Sequence, residues 1–442
     1  MNKNERIDPW GSGVYENYGR LIKEFGISPM EDLIDMLPKP HRLFTRGIIF
    51  GHRGFETILS AIKKRDSFVV LTGFSPSGNV HFGHKMTFDQ IAYYQSLGAD
   101  AIITIADLEA LAARGLRLDK GYEIGVKEYV RAALALGLDP ERTEFYFQSK
   151  RKDVLDMAIY YATKVKWGEM SSIYGFNELT NIGHVMAPLI QAGDILHVQW
   201  RRYHPRATIV PVGVDQDPHI RLSRDLVNRS RILNLRRFDH GVMVTLSNRE
   251  FRNLLEETEK RLRDIGYNDL EVNIPYGVIK VFGASEEDEY LIEKTITEIE
   301  RPINPFAMFK PSATYHRIMR GLTGDKKMSS SKPETAIFLS DNIEEAKKKV
   351  MKSVTGGRVT AEEQRKYGGN PDICPVYELF VYHLIEDDEE LMRIRQECIN
   401  GERLCGYCKR EAAQYLEELL SDIQERMKSI DEKTIKEVVK ND

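Results

Sequence analysis

The stretch LTGFSPSGNVHFGH, residues 71–84, sets His81 and His84 three residues apart where an apolar run gives way to an amphipathic one. A helix that opens near His81 would gather both imidazoles with free backbone N–H groups at the positive end of its dipole, a place that suits anions and phosphate above all. Ring N–H groups can donate to phosphoryl oxygens, and Gly83 between them leaves the backbone open to a flat ring such as adenine. Zinc is the weaker option, because two histidines at this spacing have no third ligand nearby, and no metal ligand set is assigned. A second string, GDKKMSSSKPETAIFLSD at 324–341, holds Lys326, Lys327 and three successive serines between Gly324 and Pro333. In a polar, mobile loop these cations and hydroxyls would follow a departing pyrophosphate and stabilise its charge as it develops. Each string alone has a plainer alternative, a chance coincidence of residues for the first and a solvated turn for the second.

The elements that must position these residues alternate. SFVVLTGF (67–74) reads as a buried strand, and the segment after the SPSGN turn has helical spacing through Met86, Ile91, Tyr94 and Leu97. ADAIITIAD (99–107) and TEFYFQS (143–149) are further strands, separated by a helix over 121–137 that ends on a glycine. A largely helical insertion over about 151–203 follows, and ATIVPVGVD (207–215) resumes the sheet. Such alternation predicts an α/β fold, a Rossmann-type parallel sheet with crossover helices. Ligands bind beyond the carboxyl ends of the strands in open sheets of this kind. Polar residues recur there: His81 and His84, Asp107 and Glu109, Gln148, then Asp215 and Gln216. The expected organisation is an N-terminal extension over 1–65 and a catalytic domain over 66–342, with a second, small α+β insertion over about 240–305. An all-helical domain over 343–442 completes it.

At 442 residues the chain exceeds what one hydrophobic core usually organises. A net charge of -4 argues against a protein that coats nucleic acid indiscriminately. Three basic islands remain candidates for phosphate contact: 199–206, 221–237 and 326–332. The four cysteines, Cys374, Cys398, Cys405 and Cys408, are too few and too clustered for a disulfide framework. Reduced thiols used for packing are the expectation, with the Cys405-Gly-Tyr-Cys408 pair a possible half of a zinc site. The amino terminus lacks an apolar signal core, and acids interrupt every long apolar stretch, so no membrane segment and a cytoplasmic location are expected.

Taken together, HFGH resembles the HIGH signature and KMSSS the KMSKS signature of class I aminoacyl-tRNA synthetases. GVDQDPH (213–219), DPW near the amino terminus and GGNPDICPVYELFVYHLIEDDEELMRIR in the helical tail are similar to the archaeal and eukaryotic tryptophanyl-tRNA synthetases, and the likeness covers most of the chain. The resemblance implies activation of L-tryptophan by ATP with Mg2+, transfer to tRNA(Trp), and a homodimer. It implies that Gly73, His81, Gly83, His84, Lys327, Met328, Ser329 and Ser330 hold ATP, with His81, His84 and Lys327 catalytic and Asp215 reaching the ribose. It also implies that Glu109, Gln191 and Gln216 grip the amino and carboxylate ends of tryptophan. Asp194, on the same helix face as Gln191, matches an acceptor for the indole N–H in bacterial relatives. Leu71 and Thr104 would line the pocket, where they depart from the tyrosine and glutamine of eukaryotic relatives. Tyrosyl-tRNA synthetase is the nearest competitor, but Leu71 and Ala187 stand where that family has tyrosines. Two other rivals are a nucleotidyltransferase with the same histidine string and a catalytically silent relative that binds tRNA or tryptophan.

Overall fold

A computed structural model describes residues 18–440; the DPW string lies outside them. Among the described residues eleven strands form two sheets. Six of them occur before the second insertion: β1 (Ser28–Pro29), β2 (Ile49–Arg53), β3 (Phe68–Phe74), β4 (Ala99–Ile105), β5 (Thr143–Phe147) and β6 (Thr208–Gly213). The insertion carries β7 (Leu233–Phe238), β8 (Gly241–Leu246), β9 (Leu270–Asn273) and β10 (Val278–Phe282), and β11 (Ser312–His316) follows it. The large sheet runs β1-β2-β11-β6-β3-β4-β5.

Its five strands β11, β6, β3, β4 and β5 are parallel. Near-continuous burial explains why: β3 and β4 are covered on both faces, as strands fed by crossover helices must be. The sheet departs from a purely parallel design at one edge, where β2 runs antiparallel to β11 and β1 antiparallel to β2. Thus residues of the amino-terminal stretch, before position 65, hydrogen-bond into the catalytic sheet.

The helix expected after the glycine turn spans Phe82–Ser96. The insertion after β5 is helical, with Lys152–Ala162, Trp167–Tyr174 and Ile182–His197, and the first and last of these pack on one another. The second insertion is a separate four-stranded antiparallel sheet, β7-β8-β10-β9, covered by the helices Arg252–Asp264 and Glu286–Glu300 around its own apolar core. It begins earlier than position 240, because β7 is built from the end of the second basic island.

That island and the first one are largely matched within the fold. Arg201 meets Asp153 and Asp156, Arg206 meets Asp100, Arg221 meets Asp217, Arg229 meets Glu169, and Arg231 meets Glu293 and Glu300. The helices after position 342 include the long Cys405–Ser429 helix, whose Leu416 and Leu420 join the same core as Val130 and Ala133 beside the sheet. Gln424 of that helix donates to the carbonyls of Leu339 and Asp341, at the base of the lysine loop.

Candidate active site

Beyond the carboxyl ends of β3, β4, β5 and β6 lies a cleft of about 560 Å3. It is lined by Leu71, Gly73, His81, Gly83, His84, Thr104, Glu109, Gln191, Asp194, Asp215, Gln216, Lys327, Met328, Ser329 and Ser330, whereas Asp107, Lys326 and Ser331 stay out of the lining. The volume suits a ligand of nucleotide or amino-acid size.

His81 is the N-cap of the Phe82–Ser96 helix, and the two rings stack with centroids 3.8 Å apart and planes 15° from parallel. The Nδ1 of His81 accepts the Gly83 N–H at 3.1 Å, and the Nδ1 of His84 accepts the His81 N–H at 3.3 Å. Each ring therefore carries its proton on Nε2, which leaves two Nε2–H donors beside each other. Burial pulls His81 down to about 4, with Lys327 adding a smaller push in the same direction. Burial, and then His81, hold His84 well below its ordinary value. At neutral pH both rings are neutral donors rather than cations. The room beside Gly83 is taken by the His81 ring: a Cβ there would stand 2.9 Å from His81 Cε1. The glycine is required by that imidazole, whatever flat ring lies further out.

The lysine loop folds over the same corner. Ser330 Oγ donates to the Asn79 carbonyl at 3.2 Å, and Gly78, at φ +156°, has room for no Cβ because Ser330 Cβ would be 2.9 Å away. Ser329 is tied back to Thr335, and Lys332 pairs with Asp325. Lys327 thus stands in the cleft near His81, as its influence on that ring requires.

The far end of the cleft is different in character. Asp194, on the Ile182–His197 helix, is 2% exposed. Tyr146 Oη donates to its Oδ1 at 2.6 Å, Gln148 Nε2 to its Oδ2 at 2.6 Å, and Thr104 Oγ1 to Oδ1 at 3.4 Å. Desolvation raises the Asp194 carboxyl to about 7 against the pull of those donors. Gln148 Oε1 in turn accepts the Glu109 N–H at 3.3 Å, so one glutamine links the start of the Asp107–Arg114 helix to the buried acid. Gln191 Nε2 donates to Gln216 Oε1 at 3.2 Å, between Asp194 and the mouth. Leu71 is 2% exposed and forms an apolar wall.

Several residues in the cleft or behind its wall carried no mark in the sequence. Tyr146 sits in a fully buried stretch of β5, and only its contact with Asp194 distinguishes it from core. Beneath it, the buried Arg151 places its guanidinium carbon 4.4 Å from the Tyr146 ring centre and donates to Glu144, to Tyr203 Oη and to the Lys440 carbonyl. His316, held by Gln90 at 3.1 Å, and Arg114 and His184 complete the lining. Gln148 was visible only as a polar residue at a strand end.

Known proteins resemble this chain along nearly its whole length. The model of the family described as tRNA synthetases class I (W and Y) matches residues 63–258 and 292–421, so the unmatched gap falls inside the second insertion. The tryptophan--tRNA ligase of Thermoplasma volcanium is 43% identical over 428 residues, covering 97% of this chain and 98% of its own. That of Archaeoglobus fulgidus is 44% identical over 426 residues, covering 96% and 98%. The crystal structure of tryptophanyl-tRNA synthetase from Aeropyrum pernix superimposes with a TM-score of 0.74 at 36% identity, over 98% of this chain and 99% of that one. With both signature strings on one cleft and such identity along the chain, the protein belongs to the class I tRNA synthetases of the W and Y family.

Proposed function

We infer that the protein is a tryptophan--tRNA ligase, which activates L-tryptophan with ATP and passes the acyl group to tRNA(Trp). The observation that carries this is a cleft with two unlike ends: Nε2–H donors and a lysine at one, a buried carboxylate beside an apolar wall at the other. The archaeal relatives at 43% and 44% identity, named tryptophan--tRNA ligases, support the same choice over the tyrosyl alternative.

In the first step the tryptophan carboxylate attacks the α-phosphorus of ATP, and pyrophosphate leaves. No protein base is needed, because the carboxylate is already ionised at neutral pH. The chain's contribution is position and electrostatics. In our reading His81 and His84 donate Nε2–H to phosphoryl oxygens, and Lys327 follows the leaving pyrophosphate together with Ser329 and Ser330. Gly73, Gly83 and Met328 shape the nucleotide side, and Asp215 takes the ribose. Glu109, Gln191 and Gln216 orient the amino and carboxylate groups, while Asp194 accepts the indole N–H between Leu71 and Thr104.

In the second step the terminal adenosine hydroxyl of the tRNA takes the acyl group. The helices after position 342 would read the anticodon through unstacked bases. Mg2+ belongs to the reading as a companion of the ATP phosphates. Among the described residues no three His, Cys, Asp or Glu side chains stand at an ion-binding spacing, and no step is assigned to the metal. No helix of the described residues is long and apolar enough to cross a membrane. A homodimer and a cytoplasmic location complete the proposal, checked by light scattering and by cell fractionation.

The deciding experiment is pyrophosphate exchange into ATP with each of the twenty amino acids. Exchange driven by tryptophan alone is expected. Exchange driven by tyrosine would install the tyrosyl reading, and no exchange with any amino acid would leave a silent binder.

A further inference from the structure

His316 closes β11 and lines the cleft, outside the set of side chains given a role in the reaction. Its neighbour across the parallel ladder is Gly213 at the end of β6, two residues before Asp215. Side chains alternate along a strand, so His316 shares a face with Thr314. That face packs on the Phe82–Ser96 helix: Tyr94 Oη meets Thr314 Oγ1 at 3.2 Å, and Gln90 Nε2 meets His316 Nδ1 at 3.1 Å. The helix that His81 caps therefore also holds the His316 ring.

The same contacts fix where the ring carries its proton. Gln90 Nε2 also donates to the Met86 carbonyl at 3.2 Å, and a carbonyl only accepts, so the NH2 side of the amide faces both partners. His316 Nδ1 is then the acceptor, and the proton sits on Nε2. Burial pulls the imidazole down to about 4, so at neutral pH the ring is uncharged and Nε2 can only donate. That nitrogen lies beside Asp215: a Cβ built on Gly213 would meet Asp215 Oδ1 and stand 3.9 Å from His316 Nε2. A donor and an acceptor thus flank one point above a residue that has no side chain to fill it.

We propose that His316 is the donor half of the ribose site: its Nε2–H donates to a hydroxyl oxygen of the ATP ribose while Asp215 accepts from the diol. The inference rests on the reading of Asp215 as the ribose acceptor. A carboxylate only accepts and this ring nitrogen only donates, whereas each hydroxyl does both. The pair is therefore complementary to a cis-diol, which gives one hydrogen to Asp215 and offers a lone pair to His316. Asp215 alone would leave that lone pair to water. Because His316 stands on β11 and Asp215 follows β6, the sugar is gripped from two adjacent strand ends, and Gln90 keeps the donor aimed.

Equilibrium dialysis of the full chain against ATP, 2′-deoxy-ATP and 3′-deoxy-ATP, without tryptophan, reads the contact apart from the chemistry. His316→Asn keeps an oxygen where Gln90 donates but falls short of the cleft, and His316→Gln puts an NH2 near the place of Nε2. The asparagine variant should bind ATP about five- to tenfold more weakly, the worth of one neutral hydrogen bond. It should bind one of the two deoxy analogues within about twofold of wild type, because no bond is there to lose, and that analogue identifies the hydroxyl that His316 meets. The glutamine variant should recover ATP binding to within about threefold of wild type. Equal weakening for all three nucleotides, unchanged ATP binding, or a glutamine variant no better than asparagine would overturn the proposal, as would a wild type that binds both analogues as tightly as ATP. Failure of the unaltered chain to bind ATP at all would instead remove the nucleotide reading of the cleft, and this proposal with it. Should asparagine spoil the fold, seen as an early melting transition, His316→Phe fills the ring's volume without a donor and is read in its place.

Discussion

Asp194→Asn tests the assignment of the indole acceptor most directly. A carboxylate offers about four acceptor positions; Tyr146, Gln148 and Thr104 occupy three of them, which leaves one for a substrate N–H. Asparagine keeps the shape, but its single oxygen offers two positions and its NH2 turns toward one of those donors. A charge-assisted bond must be lost, at about 1.5–3 kcal/mol. That converts to a fall of about 10- to 100-fold in kcat/KM for tryptophan. Phenylalanine brings no N–H and should lose only about threefold or less, so the preference narrows by a related factor. Burial raises the wild-type carboxyl to about 7, and its ionised form is the better acceptor. The kcat/KM for tryptophan should therefore climb with pH through that region in the wild type and lose this limb in the variant. The assay is pyrophosphate exchange with tryptophan and phenylalanine in competition, at about one pH unit either side of the Asp194 value. Equal losses for both amino acids, or an unchanged ratio, would refute the assignment and move the acceptor to Thr104.

Lys327→Ala removes a cation from a surface loop without touching the core. It should slow single-turnover adenylate formation by about 100-fold or more at an unchanged melting temperature, and a wild-type rate would remove its role. His84→Ala is less clean, because it also strips the acceptor of the His81 N–H and should cost about 1 kcal/mol of stability measured by urea titration. Burial holds His52, His81 and His316 near 4 and His219 near 3, so between those values and 6.5 the unfolded chain binds protons that the folded chain refuses. Stability should accordingly drop as pH falls from 6.5 toward 4, by several kcal/mol in sum on the order of magnitude of linkage, seen as a falling urea midpoint; Asp194, Glu128 and Glu378, whose carboxyls burial raises, act in the opposite sense but are outnumbered by the lowered histidines. Altering the tRNA anticodon should impair charging while leaving tryptophan-dependent pyrophosphate exchange untouched, and equal charging of both tRNAs would remove anticodon reading from the helical region.

Much of the sheet was readable because β3 and β4 are continuous apolar runs followed by polar residues, the pattern that a buried parallel strand imposes. The two signature strings were legible as motifs, whereas Asp194 came forward only through the resemblance to bacterial relatives. Other features depend on distant pairings that no local pattern records. β2 is a short IFGHR segment whose place beside β11 is set by partners more than two hundred residues away. Tyr146 looks like core until Asp194 approaches it from the Ile182–His197 helix. The arginines of 199–206 and 221–237 looked free to meet phosphate, because their carboxylate partners Asp153, Asp100 and Glu169 lie on other elements. The four cysteines cluster late in the sequence, but that all of them wall one small void depends on the packing of separate helices.

The guanidinium of Arg151 lies under the Tyr146 ring and is itself held by Glu144, Tyr203 and the carbonyl of Lys440. The tilt of the phenol that steadies Asp194 is thus fixed by residues that never see the amino acid. A mutant library for accepting altered indoles, if drawn only from positions that line the cleft, would hold this scaffold constant and explore a narrow set of acceptor geometries. Varying Glu144 and Tyr203 together would instead change the angle at which the acceptor is presented, and fusing a foreign helical region in place of the 343–440 segment, which removes the Lys440 carbonyl, would alter amino-acid choice as well.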